Sequence, residues 1–115
     1  MTTVVLWVGD LVTSADYYRD LFGSESYYLS DGFASVKGSG NEVLLHLVPE
    51  QYRDEVSIGA DNPIKPVFSV SGIESSRQVA AKHGCSFRGE TMEHNGVTYL
   101  DGLDPDGHVI QIAVS

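Results

Sequence analysis

The stretch YLDGLDPDGHVIQIAV, residues 99–114, decides how this chain is read. Asp104-Pro105-Asp106-Gly107 is a tight reversal by composition: proline fixes φ, aspartate bonds its own backbone, and glycine accepts left-handed turn positions. It should join two strands, about Val97 to Leu103 and His108 to Val114. The second strand is apolar but for one polar residue near its middle, Gln111. A run of the same plan, LLHLV, lies 65 residues earlier, and its polar residue is His46. Two apolar strands interrupted at the same place point to an internal repeat.

Working outward, the repeat extends over both halves. The first half opens on TVVLWV, passes Gly9-Asp10 and enters a helix-like stretch, LVTSADYYRDLF, that stops at Gly23. The second opens on PVFSV, passes Ser71-Gly72 and enters IESSRQVAAKH, which stops at Gly84, so that Val70 answers Val8. In the first helix Ala15, Tyr18, Leu21 and Phe22 share a face, Thr13 is the expected N-cap, and Asp16 suits the positive helix end. In the second, Ile73, Val79 and Ala80 form a thinner stripe, with Lys82 and His83 at the negative end.

Three strand-like runs follow each helix: about Glu25 to Leu29, Phe33 to Lys37 and Glu42 to Val48, then about Ser86 to Met92 and the two strands already named. Asp31-Gly32, GSGN from Gly38 and Asn95-Gly96 supply the other hairpin turns. Each half therefore reads βαβββ. The whole is one α+β domain, residues 1–115, with a module at 1–48, a linker at 49–63 and a second module at 64–115. The linker is polar and of a length at which loops are often functional, so it is a plain connector or a cover for a site.

Composition narrows the function. Sixteen carboxylates against seven basic residues give a formal charge of -9, which argues against nucleic acid or an anionic membrane as partner and allows steering of a cationic ligand. No segment approaches the roughly 18 consecutive apolar residues of a membrane span, and the apolar run Val4 to Val8 lacks a basic flank, so a cytoplasmic location is expected. The single cysteine, Cys85, reads as a small residue entering a strand.

Three segments, VGDLVTSADYYRDLFG, FSVSGIESSRQVAAKHG and YLDGLDPDGHVIQIAV, together resemble the vicinal oxygen chelate superfamily of glyoxalases, bleomycin resistance proteins and extradiol dioxygenases. The likeness covers nearly the whole chain. It implies two βαβββ modules whose strands curl into a ligand cup, commonly within a homodimer, and in the metal-using enzymes one ligand on the opening and closing strand of each module. Carried over residue by residue, those four positions fall on Thr3, His46, Lys65 and Gln111. A neutral hydroxyl, an ammonium with no acceptor and an uncharged amide are poor replacements for histidine and glutamate. A catalytic divalent site generally wants three imidazole, carboxylate or thiolate donors, so no metal and no other cofactor is expected, with His46 and Gln111 the only weak candidates for one.

Strand alternation adds Val5 and Trp7 to Thr3, and Val67 and Ser69 to Lys65, as cup-lining residues. The expected ligand-binding set is Thr3, Val5, Trp7, His46, Lys65 and Gln111. Trp7 is either an aromatic wall for a planar or cationic ligand or a residue packed on a helix. Of the pairs Tyr17-Tyr18 and Tyr27-Tyr28, periodicity places one member of each in the core, and His83, His94 and His108 read as structural or solvent-facing. Three functions stay open: metal-independent sequestration of a small organic molecule, as in antibiotic resistance; a lyase, isomerase or dioxygenase with an altered site, in which His46 is the general base and Lys65 stabilises an oxyanion; and a non-catalytic interaction subunit. Nothing in the residues demands catalysis.

Overall fold

Strand β1 (Thr3–Val8) alternates buried Leu6 and Val8 with exposed Thr3, Val5 and Trp7, the period-two signature of a sheet with one covered face. The computed structural model describes residues 3–56, 59 and 63–115. Helix α1 (Leu11–Phe22) follows, then β2 (Tyr28–Ser30), β3 (Phe33–Gly38) and β4 (Asn41–Leu47). The second module runs β5 (Val67–Ser69), α2 (Ile73–Lys82), β6 (Ser86–Phe87), β7 (Met92–His94), β8 (Val97–Leu103) and β9 (Val109–Val114). The sheets are ordered β1-β4-β3-β2 and β5-β9-β8-β6, with β7 also pairing β8. In each, the opening strand lies parallel to the closing one because the helix carries the chain back over the same face.

The core lies between the helices and these sheets. Val8, Val36, Val43 and Leu45 from the first sheet and Phe68, Leu100, Ile110 and Ile112 from the second are fully buried, each worth roughly 1.5–3 kcal/mol of transfer free energy. Gly102 is dictated by a close approach: a Cβ there would lie 2.3 Å from the Phe87 ring and 2.7 Å from the Ser86 carbonyl. Asn95 and Gly96 both take positive φ, as a two-residue hairpin turn requires.

Several expectations change. The N-cap of α1 is Asp10, whose carboxylate accepts from the Thr13 N–H at 2.9 Å, so Thr13 is the capped residue rather than the cap. Tyr17 and Tyr18 are both buried, because the second module covers the flank of α1 that an isolated helix would show to water. The run Glu25 to Leu29 shrinks to the strand Tyr28–Ser30, and Ser86 to Met92 splits into β6 and β7, interrupted at Gly89 with φ +82°. The expected linker holds a short 3-10 turn at Glu50–Tyr52, while 57, 58 and 60–62 lie outside the described residues.

Side chains lock the modules together. Asn41 at the start of β4 donates to the Ser69 carbonyl at 2.7 Å and accepts from the Ser69 N–H at 3.0 Å, satisfying the free edge of β5. Reciprocally, His108 meets the Trp7 carbonyl at 2.7 Å and Asp106 accepts from the Gly9 N–H and the Ser14 hydroxyl. Phe68 packs against the rings of Tyr18 and Phe22, whose centroids lie 5.6 and 5.3 Å away. The helices cover one face of each sheet and leave the other open.

Candidate functional site

The open face of the first sheet is built by register. β1 pairs β4 so that Trp7 stands beside His46, and β3 pairs β4 so that Phe33 stands on the other side of the same imidazole. The three rings form a stack with centroids 4.4 Å and 4.2 Å apart and planes within 25° and 20°. Sandwiched on both faces, the His46 ring keeps its nitrogens free of any hydrogen bond among the described residues. Trp7 does not pack on a helix: it is 37% exposed, and since β1 ends its sheet, no strand of that sheet covers the second face of the indole.

At the other end of the same face Thr3 donates its hydroxyl to Glu42, which also pairs with Lys37 at 3.3 Å. The Thr3 hydrogen bond holds the Glu42 carboxyl below its ordinary value against the opposing effect of burial, with the hydrogen bond and charge of Lys37 adding to it. Val5 lies between these two ends and is 58% exposed.

The open face of the second sheet carries a different cluster. Gln111 is opposite Asp101 in the β8–β9 register and donates to it at 2.9 Å, while Lys65 reaches the other oxygen of the same carboxylate at 3.2 Å. Of the six expected residues, then, the structure gathers Lys65 and Gln111 around Asp101, and Trp7 and His46 beside Phe33. Thr3 at the far end and Val5 midway share the first face, and no hydrogen bond joins His46 to Gln111 among the described residues. Sequence reasoning missed Asp101 and Glu42. The signal for Asp101 was a lone carboxylate in the strand VTYLDGL, but only the register shows that it faces Gln111.

The remaining histidines are committed elsewhere. His83 bonds Asp20 at 2.8 Å and meets the Tyr17 ring edge-on, and His94 is exposed near the Asn95 turn. Asp104, Asp106 and His108 bring one ligand atom each within 4.8 Å of one another, the only such trio among the described residues. All three are already engaged: Tyr18 donates to Asp104 at 2.6 Å, backbone N–H groups of Asp106 and His108 do the same, and the other two bind the first module. Burial pushes the Asp104 carboxyl up despite these donors.

The donor chemistry of the open faces does not fit a divalent ion. The Thr3 hydroxyl is spent on Glu42, the Lys65 ammonium is paired with Asp101, and Gln111 turns its N–H groups to the same carboxylate, which leaves one imidazole and one amide oxygen on different sheets.

The model of the Glyoxalase/Bleomycin resistance protein/Dioxygenase superfamily matches residues 1–112. Comparison with curated proteins finds no match. Among solved structures, the chain is similar to a glyoxalase/bleomycin resistance protein from Albidiferax ferrireducens, with TM-score 0.76, 14% identity, and coverage of 100% of this chain and 98% of that one. An enzyme of the glyoxalase/bleomycin resistance protein/dioxygenase family from Burkholderia phytofirmans gives TM-score 0.71 at 18% identity, covering 97% and 95%. A fosfomycin resistance protein from Listeria monocytogenes gives 0.69 at 12%, covering 100% and 92%. At these identities the likeness is one of fold.

Proposed function

The chain belongs to the Glyoxalase/Bleomycin resistance protein/Dioxygenase superfamily, and from that premise we propose that it binds a small planar organic molecule, without a metal, against the open face of Trp7. The observation that carries this reading is the Trp7–His46–Phe33 stack. Packing on one side fixes the indole, so a flat ligand adds a fourth layer at little cost in side-chain entropy. A positive charge on the ligand gains from the π face and from the chain's charge of -9. Sequestration asks no more than this.

Catalysis is the second reading, favoured by the unbonded nitrogens of His46, which leave it able to take a proton. Against it, the proposed partner Lys65 is neutralised by Asp101 on the other sheet. The exposed apolar residues of the open faces, among them Tyr28, Phe33, Val67 and Met92, suit the homodimer that the resemblance implies.

Trp7 is the chain's single tryptophan, so its emission reports this site alone. Titration with the planar cation N-methylquinolinium, with quinoline and tetramethylammonium as comparators, should quench that emission saturably and raise Tm, with light scattering on the same samples giving the mass of a dimer. Trp7→Ala should abolish the Tm rise, and EDTA should leave it unchanged. Equal response to all three compounds, no response, or a stoichiometric divalent ion held through His46 each sinks the reading.

A further inference from the structure

Trp7 stands on the strand that ends the first sheet, so within that sheet only β4 holds it. Val8 gives its carbonyl to the Val48 N–H at 3.1 Å, and by alternation the backbone groups of Trp7 point the other way, out of the sheet. The Trp7 carbonyl is bonded all the same: His108, from the second module, meets it through Nε2 at 2.7 Å. A carbonyl only accepts, so Nε2 carries the proton. We propose that His108 is the positioning residue of the Trp7 face, fixing from one module the backbone that aims the indole on the other. The proposal rests on the reading of Trp7 as a binding surface and adds the residue on which that surface depends.

His108 acts from a fixed base. It is 4% exposed, and Asp104 binds both of its backbone groups: the His108 N–H donates to the Asp104 carboxylate at 2.9 Å, and its carbonyl accepts from the Asp104 N–H at 3.0 Å. Asp104 is held in turn by the Tyr18 hydroxyl of α1 at 2.6 Å. The peptide group after Trp7 therefore cannot turn without breaking a bond to a buried, anchored ring. The next peptide group is gripped from both sides, by Val48 on the Val8 carbonyl and by Asp106 on the Gly9 N–H at 2.8 Å. A Cβ at Gly9 would lie 3.3 Å from the same Asp106 oxygen, so the second module closes directly on the chain. With both peptide planes set, the Cα–Cβ bond of Trp7 keeps the direction that lays the indole on His46, 4.4 Å between centroids.

The internal repeat supplies a comparison. Ser69 answers Trp7 as Val70 answers Val8, β5 also ends its sheet, and Asn41 of the first module bonds both backbone groups of Ser69. Both ties join the modules, but only one of them ends beneath a tryptophan. If His108 merely held the modules together, cutting either tie would look the same at Trp7. Positioning makes the two cuts differ.

Trp7 is the only tryptophan, so its emission reads this difference directly. His108→Leu and His108→Met remove the donor, the second with a side chain that adapts to irregular space should the first not fold. His108→Gln keeps an N–H at similar reach, and Asn41→Leu cuts the other tie. Without ligand, the two variants lacking the donor should show red-shifted emission and stronger acrylamide quenching, whereas His108→Gln and Asn41→Leu should keep the wild-type signal, the latter in spite of a lower Tm. With N-methylquinolinium, loss of the donor should weaken binding by roughly tenfold, and His108→Gln should restore most of it. Wild-type emission in both variants lacking the donor, or an equal red shift in Asn41→Leu, overturns the proposal. So does binding as tight in His108→Leu or His108→Met as in the wild type, a result that spares the Trp7 reading. Failure of the wild type to bind sinks the Trp7 reading itself, and the proposal with it.

Discussion

Tyr17 and Tyr18 are neighbours in sequence and both fully buried, yet their hydroxyls have opposite fates. The Tyr18 hydroxyl donates to Asp104 at 2.6 Å, while that of Tyr17 is the only buried side-chain polar atom without a partner among the described residues. A buried unsatisfied hydroxyl costs about 1–3 kcal/mol, and removing a donor from a buried carboxylate costs as much in the other direction. Tyr17→Phe should therefore leave stability unchanged or raise it by about 1 kcal/mol, and Tyr18→Phe should lower it by about 2 kcal/mol, read from urea midpoints. A Tyr17→Phe protein as weakened as Tyr18→Phe would show that the Tyr17 hydroxyl has a partner. Neither fate is written in the sequence, where periodicity assigns one tyrosine of the pair to the core and the other to water. The same limit applies at the site. Alternation places Trp7, His46, Lys65 and Gln111 on sheet faces, but stacking on Phe33 and capture by Asp101 depend on strand registers that a single chain does not spell out.

Elements are where the chain is most legible. β9 and β4 are read from apolar runs of the right length, and the helices from glycine stops at Gly23 and Gly84, both of which take positive φ. The short strands are not, because β6 and β7 are held by pairing with β8 rather than by any pattern of their own. Caps fall between these cases. Asp10 and Thr13 are both good capping residues, and choosing between them requires knowing that β1 ends at Val8 and leaves Asp10 extended, φ -147°, at the entrance of α1. The hydrogen bond from the Thr13 N–H also lowers the Asp10 carboxyl from its ordinary value, a carboxylate being the better acceptor. Asp10→Ala should cost about 1 kcal/mol of stability, and Thr13→Ala only a few tenths, since its backbone N–H survives the change. Equal losses in chemical denaturation would return the cap to Thr13.

On the scale of the whole molecule, the most specific sequence element proves to hold the modules together: DPDGH ties the second module to β1 and α1 through Asp104, Asp106 and His108. Asp20 makes the matching tie between the helices. It receives His83 at 2.8 Å and Lys82 at 3.2 Å from the end of α2, and Arg19 at 3.1 Å from its own helix. Burial alone would raise its carboxyl, but the three donors outweigh burial and bring it down to about 2 from an ordinary 3.8. A depressed carboxyl binds its proton more weakly in the folded than in the unfolded chain. Its stabilisation is therefore complete above pH 3.8 and is lost as pH falls toward 2. Asp104, raised by burial, works in the opposite sense, favouring the folded state as it takes up its proton. Thermal melts should thus show a fall in Tm between pH 4 and pH 2, with a shallower fall in Asp20→Asn, which cannot titrate there. Above pH 5 the same variant should melt below the wild type, because a neutral amide replaces the carboxylate that meets Lys82 and His83 at the end of the neighbouring helix. If the two proteins lose Tm in parallel through the acid range, the tie at Asp20 contributes nothing to the joining of the modules, and the apolar contact of Phe68 with Tyr18 and Phe22 must carry it with the DPDGH bonds.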